Sequence, residues 1–280
     1  MTKLKATFKT DILFKMLFVK YPDLLIRLVA HLLRISYENI TEFIILNPEM
    51  TPDFIDKKYC RLDISMKVNG QHVNLEVQVE NEKGYPERVL FYWAKNFSNL
   101  LPVSGKYHEL PRTIVINILN FRLFKNNIDF YSEYQITEKT HHTILTNKFS
   151  LCFFELPKLP KKIDKEDLLL LWLSLFKADT DEELKRIDGL GVPELSKAVS
   201  AFSRVTTSTE YQELERMRFK AECDEANALA LAEERGEERG EKREKKRWQG
   251  IIKEITAEKD AEIEEKDKMI AKLQAMLESK

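Results

Sequence analysis

The chain has 280 residues, 43% of them hydrophobic, and 45 Lys/Arg against 46 Asp/Glu leave a formal charge of −1. This is ample apolar material for one or two globular domains, and it excludes a chain that would hold polyanions through net charge alone. Cys60, Cys152 and Cys223 are odd in number, far apart and without a C-x-x-C, which fits neither a disulfide framework nor a zinc site and points to a reducing, cytoplasmic setting.

Residues 10–35 read as helical. Phe14, Leu17 and Phe18 recur at three and four, Pro22 restarts a helix at its first turn, and Leu25, Leu28, Val29 and Leu32 continue the stripe. Asp11 falls in the first helical turn, where the helix dipole favours an acid; a ligand role at a site is the other reading. Lys15 lies one turn on, placed for an ion pair with Asp11. No h-region of a signal peptide precedes this segment. Glu42–Leu46 is a short candidate strand stopped by Pro48 and Pro52.

Arg61–Glu80, RLDISMKVNGQHVNLEVQVE, holds two alternating runs joined by Asn69-Gly70. Alternation on both sides of Asn-Gly predicts a β-hairpin with a two-residue type I′ turn. Val68 then faces Gln71, opposed residues sum to 139, and Asp63 falls across from Glu76. Directly opposed residues have Cβ atoms about 4.5–5.5 Å apart, where like charges repel. A divalent cation taking hard oxygen ligands would neutralise such a pair; a pair of solvated carboxylates is the plainer alternative. One hairpin face is wholly apolar, and the other carries Arg61, Asp63, Ser65, Asn74, Glu76 and Gln78.

Gly84-Tyr85-Pro86 breaks the chain before a helix that runs to about Leu101. Arg88, Tyr92, Lys95 and Asn99 form a polar stripe on it, either a solvated face or a phosphate-holding one. Thr113–Leu119, TIVINIL, reads as a strand buried on both faces. Asp129–Ile136 and Phe149–Leu156 read as further strands. His141 and His142 lie between them; adjacent residues of an extended chain point to opposite faces, so they read as loop histidines and not as a metal pair.

Pro157 and Pro160 mark the end of a first domain, 1–160, followed by a helical region, 161–235, and a charged helical tail, 236–280. Leu168–Phe176, the longest apolar stretch, is far short of the ~20 residues that span a bilayer, so no membrane partner is expected. Glu182–Ile187, a segment after Pro193 and Glu210–Glu234 are the other helical patterns. Residues 208–280 hold 16 Lys/Arg and 20 Asp/Glu, leaving 29 and 26 for the rest, which is therefore weakly positive, with Lys57, Lys58, Arg61 and Lys67 as a candidate basic patch. The tract from Gly236 is helical if i,i+4 pairing outweighs its glycines, and its basic end, Lys242–Arg247, reads as a solvated face or as a phosphate contact. Ile263, Ile270 and Leu277 stand seven apart with Leu273 at a second seam position. A short coiled coil pairing two chains into a homodimer is one reading, although Lys266 interrupts the seam.

An ordered set of these residues resembles the Rpn recombination-promoting nucleases, labelled PD-(D/E)XK nuclease family transposases. Thr10-Asp11, Phe14-Lys15 and Leu17-Phe18 resemble the family's opening D-x-x-F-K-x-L-F helix, Leu62-Asp63-Ile64 its first catalytic strand, and Asn74–Gln78 its N-x-E-x-Q strand. Arg88, Tyr92-Trp93 and Lys95 resemble the next helix, and Tyr107 with Leu110–Phe121 the next strand. The resemblance implies an α/β fold: a mixed sheet of restriction-endonuclease type flanked by helices, with an all-helical C-terminal extension. It implies a metal-dependent DNA endonuclease tied to recombination or mobile elements. Asp63 and Glu76, joined by the Val77 carbonyl, would hold Mg²⁺ or Mn²⁺, with Asp11 as a further candidate ligand. Gln78 would orient the nucleophilic water, and Arg88, Tyr92 and Lys95 would meet substrate phosphate. Gln78 stands where the wider superfamily has Lys, so it can orient a water but brings no charge. A DNA-binding or recombination-partner protein that keeps the fold without cleaving is the alternative.

Overall fold

In the computed structural model, residues 3–47 and 64–278 are described. The chain opens with two helices, α1 (Asp11–Lys20) and α2 (Pro22–Leu33), separated at Tyr21 where Pro22 starts the second helix. Pro is suited to that first position, having no N–H to leave unpaired and a φ already helical. Six strands follow: β1 (Phe43–Ile45), β2 (Ile64–Val68), β3 (Gln71–Gln78), β4 (Thr113–Leu119), β5 (Tyr131–Tyr134) and β6 (Phe149–Glu155). They form one mixed sheet in the order β1-β2-β3-β4-β6-β5. β3 runs parallel to β4, and β4 parallel to β6; the outer pairs are antiparallel. β4 and β6 are buried along all seven of their residues, as parallel strands covered on both faces must be.

Helix α3 (Tyr85–Asn99) lies between β3 and β4 in sequence and covers one face of the sheet. Its Tyr85 and Val89 pack with Val115, Leu119, Phe149, Leu151 and Phe153. Trp93 meets Phe149 edge-on at 4.6 Å and donates its indole N–H to the Thr113 carbonyl at 3.0 Å. The other face carries the larger core. Ile64, Met66, Val73, Leu75, Ile116 and Phe154 pack there with the buried sides of α1 and α2.

The same core takes in α4 (Leu168–Lys177), α5 (Asp181–Asp188) and α6 (Pro193–Thr206). Phe18 stacks on Phe176 at 6.2 Å and Phe8 on Phe202 at 4.8 Å, so the first helices and those after residue 160 share one aromatic cluster. Thr180 caps α5 reciprocally with Glu183, which satisfies two backbone donors at the helix start. Two compact units result, Met1–Arg218 and Phe219–Lys280.

The last helix, α7, runs unbroken from Thr209 to Glu278. Its first turns belong to the core through Tyr211 and Leu214. Gly236, Gly240 and Gly250 do not end it, although each costs about 1 kcal/mol against Ala. Single glycines in a long, cooperative helix are outweighed by propagation on both sides. Ile263, Ile270 and Leu273 are exposed.

Candidate functional site

The hairpin has the expected register among its described pairs: Ile64 faces Leu75, Met66 faces Val73 and Val68 faces Gln71. Asn69 at φ +48° and Gly70 at φ +75° supply the two left-handed residues that a type I′ turn needs. Asn69 also ties the turn to the chain before β1. Its Oδ1 accepts the N–H groups of Thr41 and Glu42 at 2.9 and 3.1 Å, and its Nδ2 donates to the Asn39 carbonyl at 2.7 Å. Asp63 lies outside the described residues, as do Cys60, Arg61, Lys57 and Lys58.

Glu76 stands on the α3 side of β3 and is 8% exposed. Two side chains beyond it, in strand register, Gln78 is half-buried at the end of the strand. Arg88, one turn into α3, reaches both: its Nη2 donates to Gln78 Oε1 at 3.2 Å and lies 3.9 Å from Glu76 Oε1. The other guanidinium nitrogen, Nη1, pairs with Glu82. Gln78 Nε2 donates to the Glu80 carbonyl at 3.2 Å. A carboxylate, an amide and a guanidinium therefore converge where β3 ends and α3 begins.

The floor beside them is polar and ordered. Asn117 of β4 is the cross-strand partner of Glu76 and is fully buried. It accepts the Tyr85 hydroxyl at 3.0 Å and donates to the Cys152 carbonyl at 3.1 Å. Tyr85 in turn lies under the Arg88 guanidinium, 5.0 Å from ring centroid to Cζ, and meets Phe121 edge-on. Toward the other end of β3, Ser65 Oγ and His72 Nε2 are 3.2 Å apart, and burial holds the His72 pKa below its ordinary value.

The structure thus brings Glu76, Gln78 and Arg88 together. Tyr92 is half-buried one turn further along α3, edge-on to Phe91, and Lys95 beyond it is exposed. Asp11 is exposed at the start of α1, while Lys15 is fully buried. His141 and His142 are exposed in the connection between β5 and β6. Among the described residues, no group of three His, Cys, Asp or Glu side chains could hold a metal ion. The described residues offer hard oxygens there: the Glu76 carboxylate and, two residues before it on the same face, Asn74 Oδ1, buried without a hydrogen-bond partner among the described residues. Such a set suits Mg²⁺ or Mn²⁺ and not a soft metal.

Tyr85 and Asn117 were not legible as site residues. The signal available was a single Asn in the middle of TIVINIL, a polar group that a buried strand tolerates only when it is hydrogen-bonded.

A family model for PD-(D/E)XK nuclease family transposases matches residues 8–232. The chain belongs to this family. The mixed six-stranded sheet with flanking helices is the restriction-endonuclease-like α/β fold, and the family supports a nuclease-like function with DNA as substrate. Divalent metals are the usual cofactors of PD-(D/E)XK nucleases. Neither the curated proteins nor the solved structures that were searched gave a match. Among the described residues, no helix is long and apolar enough to cross a membrane.

Proposed function

We propose that this PD-(D/E)XK family member is a metal-dependent endodeoxyribonuclease acting in DNA recombination or on mobile elements, in a reducing cytoplasm. The observation that carries the reading is the convergence of Arg88 on Glu76 and Gln78. Asp63 and Glu76 are the residues that would hold Mg²⁺ or Mn²⁺, with Asp11 as a further candidate. When bound, the ion supplies Lewis acidity and a lowered pKa for coordinated water.

The chain's own groups divide the remaining work. Gln78 orients a water through an amide that is both donor and acceptor. Its neutrality leaves a charge deficit at the scissile phosphate relative to a Lys, and Arg88 is the cation placed to cover it, 3.2 Å from the Gln78 oxygen. A planar guanidinium can grip two phosphate oxygens at once. Glu82 holds the other side of that guanidinium, and the Tyr85 ring beneath fixes its plane. Tyr85 is itself held by Asn117, so the cation rests on the sheet and not on a loop. Tyr92 and Lys95 extend the same helix face toward flanking phosphates.

The test uses purified wild-type, Asp63→Ala and Glu76→Gln proteins on supercoiled plasmid with Mg²⁺, with Mn²⁺ and with EDTA. Metal-dependent nicking should fall by about 100-fold or more in both variants, the scale set by removing one preorganised transition-state group. Equal nicking by all three proteins would overturn the assignment of the centre. DNA binding without nicking by any of them would favour the non-cleaving partner reading.

A further inference from the structure

Residues 235–247 of α7 read Arg-Gly-Glu-Glu-Arg-Gly-Glu-Lys-Arg-Glu-Lys-Lys-Arg and lie beyond the matched residues 8–232. Arg235, Arg239, Arg243 and Arg247 are spaced by four, and every one is exposed on the helix. At 100° per residue they fall with Lys242 and Lys246 within an arc of about 140° and a length of about 18 Å. No acid of this segment falls in that arc. Glu237, Glu238, Glu241 and Glu244 occupy the opposite side, with Lys245 as the single base among them. One side of the helix is thus purely basic and the other predominantly acidic.

This arrangement works against the helix that carries it. Like charges at i,i+4 are neighbours on the helix surface and destabilise it, and the four arginines make three such pairs in a row. None of them forms an ion pair among the described residues, whereas Lys242 pairs with Glu238 at 3.2 Å. Further along α7 the opposite design appears: Lys266 pairs with Glu262 and Lys268 with Glu264, each at 2.7 Å and four residues apart. Stabilising the helix therefore does not account for the arginine row. The glycines point the same way. Gly236 shares the basic arc and Gly240 borders it; a Cβ at either would meet nothing within 4 Å among the described residues, so packing there does not require them.

We propose that residues 235–247 form a binding surface for the phosphate backbone of duplex DNA. The choice of DNA rests on the nuclease reading above; the need for a polyanion rests on the unpaired arginine row itself. A linear array of charges along one helix side matches a linear array of phosphates, and arginine suits phosphate by its fork of donors. A membrane surface fits less well, because a helix lying in a lipid interface needs an apolar face, and the face opposite the arginines is acidic.

The experiment measures binding of the full chain to a fluorescent duplex of arbitrary sequence about 30 bp long. EDTA is present throughout, and salt is varied between about 50 and 200 mM. One variant carries Arg235→Gln, Arg239→Gln, Arg243→Gln and Arg247→Gln together; Gln keeps a helix propensity close to that of Arg. A second carries Lys at the same four positions. Each phosphate contact contributes about 0.9 to the slope of log affinity against log salt, so the Gln variant should lose a slope of about 3–4 and bind at least about tenfold more weakly at the low-salt end. The Lys variant should keep the slope, which separates charge from any loss of fold. An unchanged slope in the Gln variant would overturn the proposal. So would wild-type protein that binds phosphatidylserine vesicles in preference to the duplex, or an arginine row that governs salt-dependent self-association and not DNA binding. Because EDTA suppresses hydrolysis, the outcome is independent of plasmid nicking: an arginine-dependent slope in a protein that never cleaves retains this surface and rejects only the nuclease mechanism.

Discussion

The two faces of β3 share a backbone, a register and a pair of neighbouring strands, and they do different work. Val73 and Leu75 are completely buried in the core beneath α1 and α2, with Val77 packed at its edge. His72, Asn74, Glu76 and Gln78 lie on the α3 side; His72, Glu76 and Gln78 are tied into hydrogen bonds and an ion pair beside a buried polar floor. Because the side-chain period of a strand is two, a slip of one residue would exchange the faces. The Asn69-Gly70 turn and its anchors to residues 39–42 prevent that slip. The same locked register therefore sets both the packing of the core and the geometry of the proposed site.

That division can be broken at adjacent residues. Leu75→Ala removes a side chain with no exposure and should cost about 2–5 kcal/mol of stability, the range for large-to-small changes in a packed core. Glu76→Gln should leave the denaturation midpoint close to that of the wild type while cleavage is lost. Urea denaturation of the two variants side by side checks this. Comparable destabilisation would mean that the polar face is structural after all.

A smaller effect tests the floor of the site. Tyr85→Phe removes the hydroxyl that Asn117 accepts, leaving a buried carbonyl oxygen without its donor. The expected cost is about 1–2 kcal/mol in urea denaturation. If Tyr85 also holds the Arg88 plane, the variant should lose cleavage beyond what its stability explains. Full activity at reduced stability would confine Tyr85 to packing.

How much of this was readable in advance follows from the range of each signal. The hairpin, its turn type and its register were legible because Asn-Gly and strict alternation are local and mutually consistent. So was the buried β4, as a continuous apolar run between breakers. The meeting of Arg88 with Gln78 was half visible: the polar stripe on α3 could be read, but its direction depends on how α3 lies over the sheet. Asn117 and Tyr85 were invisible as partners because they are 32 residues apart and meet only through the parallel pairing of β3 with β4. The tail was legible as helical from its i,i+4 pairing, but the sequence left its unbroken course through the glycines open. Local glycine cost is easy to count, whereas propagation over seventy residues is a property of the whole helix. Charge segregation around that helix emerges only once the glycine tract is known to be helical.

The smallest predicted effect lies at the other end of the polar face. Burial holds His72 below the ordinary value of 6.5, so the native state resists a proton that the unfolded chain accepts. Above pH 6.5 the imidazole is neutral in both states and contributes nothing to the pH dependence. As pH falls through 6.5 the unfolded state takes up the proton first, and stability must decline until the native imidazole titrates as well. His72→Gln keeps a polar partner for Ser65 and removes the titration. Wild-type protein should therefore lose more stability than the variant between about pH 8 and about pH 5.5, measured as denaturation midpoints at each pH. The carboxylates are common to both proteins and cancel in the comparison. Parallel losses would show that water reaches His72, and that the solvated part of the polar face extends from the Gln78 end along the whole strand.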